Sequence, residues 1–379
     1  MHPKKTEWER VTRAALIADV DSYGSPDQKV ESEVYDFGVQ VMRLARLALI
    51  ADYLNEKPSG VKAREAIKRL ITPWLDNSNS NKLFYDPVYG GIITDIGEAH
   101  KVENSINSRY DNHHHEYGYL IYAAAVLAKD DSDFLNQYKG QLLALVRDYA
   151  NPNMNDAYFP LTRHKDWYCG HSWSGGLAQY DDNRNEQSVS EALNSYYAIV
   201  LLGDAMKDLK LKNWGRMLVA TEMRSAKKYW QMKDDSVYPA VFAQNRMVGD
   251  LWSTKADYRT WFGAKVEYIH SIQMLPFTPI TYDLLSYSFI QKEYPVFAKA
   301  NATGEWLSYQ IMAQSILDPD AAWDRATNSV LHDFGRNSRA NMLWWIVSRR
   351  VPSEPTPIGK TSANNRNFCS TSRHQSSSK

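Results

Sequence analysis

Cysteine is nearly missing from this 379-residue chain, with Cys169 and Cys369 the only two. That scarcity excludes a disulfide framework and a cysteine-built zinc site. Cys369 lies in a polar tail, so the two are not expected to pair. An excess of either charge is missing as well. Lys plus Arg and Asp plus Glu both number 44, for a formal net charge of zero. Without a basic surplus, nucleic acid and anionic membrane surfaces are not expected partners. Long hydrophobic runs are missing too. The longest, "GYLIYAAAVLA", is too short to cross a bilayer. The first residues, "MHPKKTEWERVTRAALIADV", lack the continuous apolar stretch of a secretion signal, so the sequence carries no export address of its own.

Aromatic side chains, by contrast, are plentiful: 12 Trp and 24 Tyr bring the aromatic share with Phe to 12%. Such a supply suits either an aromatic core or a cleft that stacks flat apolar faces such as sugar rings. Helical periodicity dominates the chain. Val41, Leu44, Ala45, Ala48 and Ala51 form one stripe, which Pro58 and Gly60 are expected to end. "REAIKRLITPWL" reads as its partner helix. "HHEYGYLIYAAAVLAK" is apolar almost all round, the mark of a buried helix. Asp131 and Ser132 suit the cap of the next one, where Leu135, Tyr138, Leu142, Leu145 and Tyr149 recur at helical spacing. "EQSVSEALNSYYAIVLLGDAM", "NWGRMLVATEMRSAKKYW", "GEWLSYQIMAQSIL" and "NSRANMLWWIVSRR" continue the pattern. Residues 151–183 and 232–262 interrupt it, and the second stretch reads as holding short strands. Long non-helical segments inside a helical domain usually carry function. The succession predicts a mainly α protein of antiparallel helix pairs over residues 1–352. A disordered polar tail is expected over 353–379.

Two stretches concentrate chemistry. The first is "YDNHHHEYGY", residues 110–119, and the second is "DDNRNEQSVSEALNSYY", residues 181–197. His113, His114 and His115 are adjacent, so on a helix they splay about 100° apart and cannot all ligate one ion. His115 could join Asp111 at i+4, but no HExxH is present, and no metal or other cofactor is expected. Glycoside hydrolysis needs two carboxyl groups flanking the scissile bond. Carboxylates near 111 and at 186 and 191 are separated by the Trp-rich loop "KDWYCGHSW", where Asp166 and His171 are spaced for one turn to present both. Glu186 also fits a capping box with Asn183 as N-cap. Glu191 sits among Leu193, Tyr196 and Tyr197, a costly place for an unpaired carboxylate outside a cleft.

Five blocks in order resemble glycoside hydrolase family 81, the endo-1,3-β-glucanases. They are "YDNHHHEYGY", "KDWYCGHSW", "RNEQSVSEA", "YIHSIQMLPFTPI" and "GRNSRANMLWWI". The resemblance implies an (α/α)6 barrel, with a few short strands in long loops, that hydrolyses internal β-1,3-glucosidic bonds with inversion and without a metal. It implies β-1,3-glucan of the laminarin type as partner, a monomer, and an extracellular or cell-wall setting. The family's N-terminal β-sandwich is expected to be absent. Aligned without a gap, the family's acid falls on Asn112 and its base on Gln187, while Glu116 stands where the family has His. Glu191, Asp166 and His171 keep the family pattern. Two readings follow. In one, Asp111 is the acid and Glu186 or Glu191 the base, with Asn112, His115, Glu116, Asp166, Trp167, His171, Trp173 and Gln187 binding substrate, and Tyr117 and Tyr168 also lining the cleft. In the other, the protein binds β-1,3-glucan without cutting it, because neither Asn nor Gln can act as general acid or base.

Overall fold

A computed structural model describes residues 3–94, 107–177, 180–234 and 236–349. The expected tail at 353–379 lies outside the described residues. Helices of seven residues or more are α1 (Pro3–Tyr23), α2 (Val34–Tyr53), α3 (Lys57–Leu75), α4 (His113–Ala128), α5 (Ser132–Ala150) and α6 (Val189–Ala205). They continue as α7 (Leu209–Ser225), α8 (Val266–Ile272), α9 (Tyr287–Phe297), α10 (Glu305–Gln314), α11 (Pro319–Asn328) and α12 (Arg339–Ser348). They pack as six hairpins in a ring. The inner members α2, α4, α6, α8, α10 and α12 neighbour one another in that order, and α12 returns to α2. Outside them stand α3, α5, α7, α9, α11 and, closing the ring, α1 against α12. This is the expected α/α barrel.

The sequence sorts the two layers. Every residue of α4 is buried, as its all-round apolar pattern requires of an inner helix. Outer α5 buries one face, through Phe134, Tyr138, Leu142, Leu145 and Tyr149, and leaves the other polar. Gly118 sets the spacing of α4 and α6, since a Cβ there would meet Ser195 Cβ at 2.3 Å. Helix starts are capped by short polar side chains: Asp131 accepts from Phe134 N at 2.8 Å, and Asp208 from Lys210 N at 2.9 Å. The ring closes where Asp19 of α1 accepts from Ala340 N of α12 at 2.7 Å, and where Trp8 stacks on Trp323 at 4.2 Å.

Two expectations need correcting. Pro58 does not follow α2 as a breaker but opens α3, where the missing N–H costs nothing. Glu186 is not the third residue of a capped helix. Asn185–Glu186 forms the strand β3, and α6 starts three residues later, at Val189. β3 pairs antiparallel with β4 (Asp250–Trp252), which pairs with β5 (Ala256–Asp257). The short strands expected in 232–262 are therefore present. A separate hairpin joins β1 (Leu83–Asp86) to β2 (Gly91–Thr94). Among the described residues no helix is long and apolar enough to cross a membrane.

Candidate active site

A cleft of about 500 Å³ opens at one rim of the barrel. Its polar wall comes from the starts of inner helices. Glu33, Tyr35 and Asp36 stand at the start of α2, Asn112, His115 and Glu116 at that of α4, and Gln187, Ser188 and Glu191 at that of α6. Glu305 and Trp306 begin α10, and Arg336 precedes α12. Helix N-termini carry partial positive charge, so this rim favours carboxylates. The cleft does not end abruptly. A neighbouring hollow of about 540 Å³ shares Trp261 and Phe262 with it. A further hollow of about 410 Å³ shares Asp36, Glu305 and Arg336 with it.

Two buried carboxyls in the cleft are held very differently. Glu191 Oε1 accepts from the hydroxyls of Tyr35 and Tyr119, each at 2.6 Å. Arg336 donates in turn to the Tyr35 hydroxyl at 3.1 Å. Donors of this kind stabilise an ionised carboxylate. Glu116 takes one amide donor, Asn107 Nδ2 at 2.6 Å. Burial pushes it up to about 7, against the opposing pull of His113 and the Asn107 amide. Glu116 is thus held so that it keeps a proton near neutrality, whereas Glu191 sits under two phenol donors.

Asp111 stands beside the cleft, not in it. Its oxygens accept from Gly176 N and, at 3.1 Å, from the Tyr180 hydroxyl. Burial raises it above the ordinary carboxyl range despite those donors. Glu186 is directed away from the cleft altogether. Fully buried, it accepts from His114 Nε2 at 3.2 Å, His115 Nε2 at 3.1 Å and Ser188 N at 3.3 Å. A side chain enclosed behind the wall cannot reach a glycosidic bond, so the expected role of Glu186 as base does not fit. The reason is the strand: successive strand residues face opposite sides, and Gln187, one step on, faces the cleft.

The triple histidine resolves into separate parts. His113 points the other way, to Asp148 at 2.6 Å and the Asn107 carbonyl at 2.8 Å. His114 and His115 converge on Glu186, so two of the three histidines meet and the third does not join them. Their ligand-type atoms lie within 4.8 Å of one another, the arrangement among the described residues that could hold a metal ion. Hydrogen bonds at 3.1 and 3.2 Å already satisfy the carboxylate. Burial lowers His114 well below its ordinary value. For His115 burial works against the proton, but the charge of Glu186 outweighs it and the net shift is upward. The group reads as a buried ion pair braced by a neutral imidazole.

The "KDWYCGHSW" loop also departs from expectation. Trp173 is buried and donates to Asp166 at 3.0 Å, while Asp166 accepts from the backbone of Tyr168 and Cys169. His171 bonds the Ser172 carbonyl at 2.8 Å and is 1% exposed. Trp167 packs against Trp214, Tyr168 stands free in solvent, and Tyr117 is fully buried. None of the six lines the cleft. Asp166 ties its own turn together, which leaves no acceptor aimed outward. The aromatics that do line the cleft are Tyr35, Trp261, Phe262 and Trp306. Trp261 and Phe262 belong to the second non-helical stretch, so the available signal was "TWFG" in a long loop.

The molecule is thus a six-hairpin α/α barrel with an acidic, aromatic-edged groove at the helix-N-terminal rim. Residues 4–346 match the profile described as the glycosyl hydrolase family 81 C-terminal domain, and the chain belongs to that family. It is similar to a glucan endo-1,3-beta-D-glucosidase of Glycine max, 36% identical over 350 residues, covering 89% of this chain and 52% of the relative. It is also similar to the primary septum glucan endo-1,3-beta-D-glucosidase of Schizosaccharomyces pombe, 28% identical over 323 residues, covering 83% of this chain and 32% of the relative. A solved structure of a glycoside hydrolase family 81 protein from Clostridium thermocellum superposes with a TM-score of 0.78 at 23% identity, over 90% of this chain and 47% of that one. The chain spans about half the length of the soybean relative.

Proposed function

We propose that this chain is a glycoside hydrolase domain that cuts internal β-1,3-glucosidic bonds with inversion. Extracellular or wall glucan of the laminarin type is its substrate. Glu116 protonates the leaving oxygen and Glu191 activates the attacking water. Together they are the acid and base that an inverting hydrolase requires. The observation that carries the reading is the pair of buried carboxyls, Glu116 and Glu191, in one aromatic-edged cleft that shares its edges with two further hollows. The names of the soybean and fission-yeast relatives agree with it. Glu116 takes the place of Asp111 as acid because it lines the cleft, in the first turn of α4 just after Asn112.

A second reading has its own observation. Asn112 and Gln187 both line the cleft, where the resemblance puts acid and base, and neither can transfer a proton as required. A glucan-binding protein without turnover would look the same. The test is hydrolysis of linear laminari-oligosaccharides, with the product anomer followed by proton NMR. The hydrolase reading expects internal cleavage, α-anomer first, and losses of about 10²–10⁴ in rate for Glu116→Gln or Glu191→Gln with binding retained. An inert parent, made active by Asn112→Asp with Gln187→Glu, would establish the binding reading instead.

A further inference from the structure

Beside the cleft lies a chamber of about 190 Å³, entered past Asn112, Gln187 and Trp261, which it shares with the cleft. At about 30 Å³ per water it would hold roughly six, a volume on the scale of one pyranose ring. Its walls have the two components a sugar needs. Trp252 and Trp261 supply flat apolar surface. Ser174 and Asn185, each 1% exposed, supply polar atoms without use elsewhere. Among the described residues, Ser174 Oγ, Asn185 Oδ1 and Asn112 Oδ1 have no hydrogen-bond partner. Buried polar atoms without a partner are costly, so several in one small space point to a ligand or to water that satisfies them. Asp111 adds a carboxyl held by Gly176 N and the Tyr180 hydroxyl. The atoms on offer are mainly acceptors, which suits a group rich in hydroxyl donors.

The space depends on one residue. A Cβ placed on Gly175 would look into the chamber, 3.5 Å from Asn185 Oδ1 and 3.6 Å from the Tyr180 ring. Those are ordinary contact distances, and Gly175 is not among the positive-φ glycines. A larger side chain is therefore admissible there and would fill the chamber from the side opposite the cleft.

We infer that the chamber is a side subsite for a single hexose carried as a branch on the glucan, so that the protein prefers branched β-1,3-glucan to the linear polymer. This inference rests on the glucan reading above. A backbone lying in the groove would present a substituent on a primary hydroxyl to the chamber mouth at Asn112 and Gln187. The branch would then stack between the tryptophans and donate to Asn112, Ser174 and Asn185. Two or three hydrogen bonds made where orphaned atoms stood amount to about tenfold or more in affinity.

The test is affinity electrophoresis of the full chain, in the cold, through gels containing either linear β-1,3-glucan or β-1,3-glucan with single 6-O-glucosyl branches. The expected result is retention by both, with a dissociation constant about tenfold lower for the branched polymer. Gly175→Leu should bring the branched value back to the linear one and leave the linear value unchanged. Equal retention of the two polymers by the parent overturns the branch inference and leaves the glucan reading standing. So does a Gly175→Leu variant that keeps the preference. No retention by either polymer overturns both.

Discussion

Replacing Glu116 by Gln keeps the shape of the side chain and an oxygen for Asn107 Nδ2, and removes only the proton equilibrium. The magnitude follows from the environment. Burial raises this carboxyl from 4.5 to about 7, equivalent to about 3 kcal/mol in favour of the neutral form. The sign follows from which state ionises first. The unfolded chain loses the proton near 4.5 and the folded protein only near 7, so the group's contribution to stability is complete below 4.5 and is lost as the pH rises toward 7. Glutamine has no such dependence. The difference in unfolding free energy, parent minus variant, should therefore move by about 3 kcal/mol against the parent between about pH 4.5 and 7.5. Urea titrations followed by tryptophan fluorescence at the two pH values measure it; groups that do not feel Glu116 cancel in the difference, and His113 and His115, which its charge raises, reinforce the sign because they lose that support in the variant. A difference that is the same at both pH values would refute the reasoning, because Glu116 would then hold no proton near neutrality and could not be the acid.

Three further outcomes are expected. Tyr119→Phe removes one of the two phenol donors on Glu191, and a hydrogen bond to a charged group is worth about 1.5–3 kcal/mol, so kcat/KM for linear laminari-oligosaccharides should fall about tenfold or more while the fold survives. Trp261→Ala removes a 67% exposed ring from the cleft edge; titration calorimetry should show glucan affinity falling several-fold, as loss of an aromatic face of about 0.5–1.5 kcal/mol predicts, with the melting temperature unchanged. Glu186→Gln should cost about 3–5 kcal/mol of stability, measured by urea unfolding, because it removes the carboxylate paired with His115. His115 is raised above its ordinary value, so that pairing is fully present below about pH 6.5 and fades as the pH rises; the variant's deficit should be largest on the acid side.

The barrel was legible because its layers are written in local patterns. An all-round apolar segment such as "YLIYAAAVLA" reads as an inner helix, and a one-sided stripe such as Tyr138, Leu142, Leu145 and Tyr149 as an outer one, although the stripe begins at Phe134 and not at Leu135. The site was legible in part. "DNHHHE" and "EQSVSE" were read as its two segments, and both do supply its wall, but which side chain faces the cleft depends on a single step of the backbone. At Glu186 and Gln187 that step is the end of the two-residue strand Asn185–Glu186, too short to leave a pattern. The cleft aromatic Tyr35 lies more than 200 positions from Trp261 and Trp306 in the chain, and they meet only because the ring closes. The Trp-rich loop misled for the opposite reason. Its residues cluster in sequence because they stabilise one another, as Trp173 does with Asp166, not because they share a ligand.

The arrangement of the helix starts has a practical consequence for handling this protein. Since the groove is built from the starting ends of the inner helices, the other rim carries brief connections such as 54–56, 129–131 and 206–208. Asn55, Lys129 and Lys207 are exposed there. A fluorophore, a linker or a solid support attached at any of the three would hold the barrel by its back, with the groove facing outward toward an insoluble polymer. Attachment near Trp261 or Glu305 would instead press the groove against the support and hide it from the glucan.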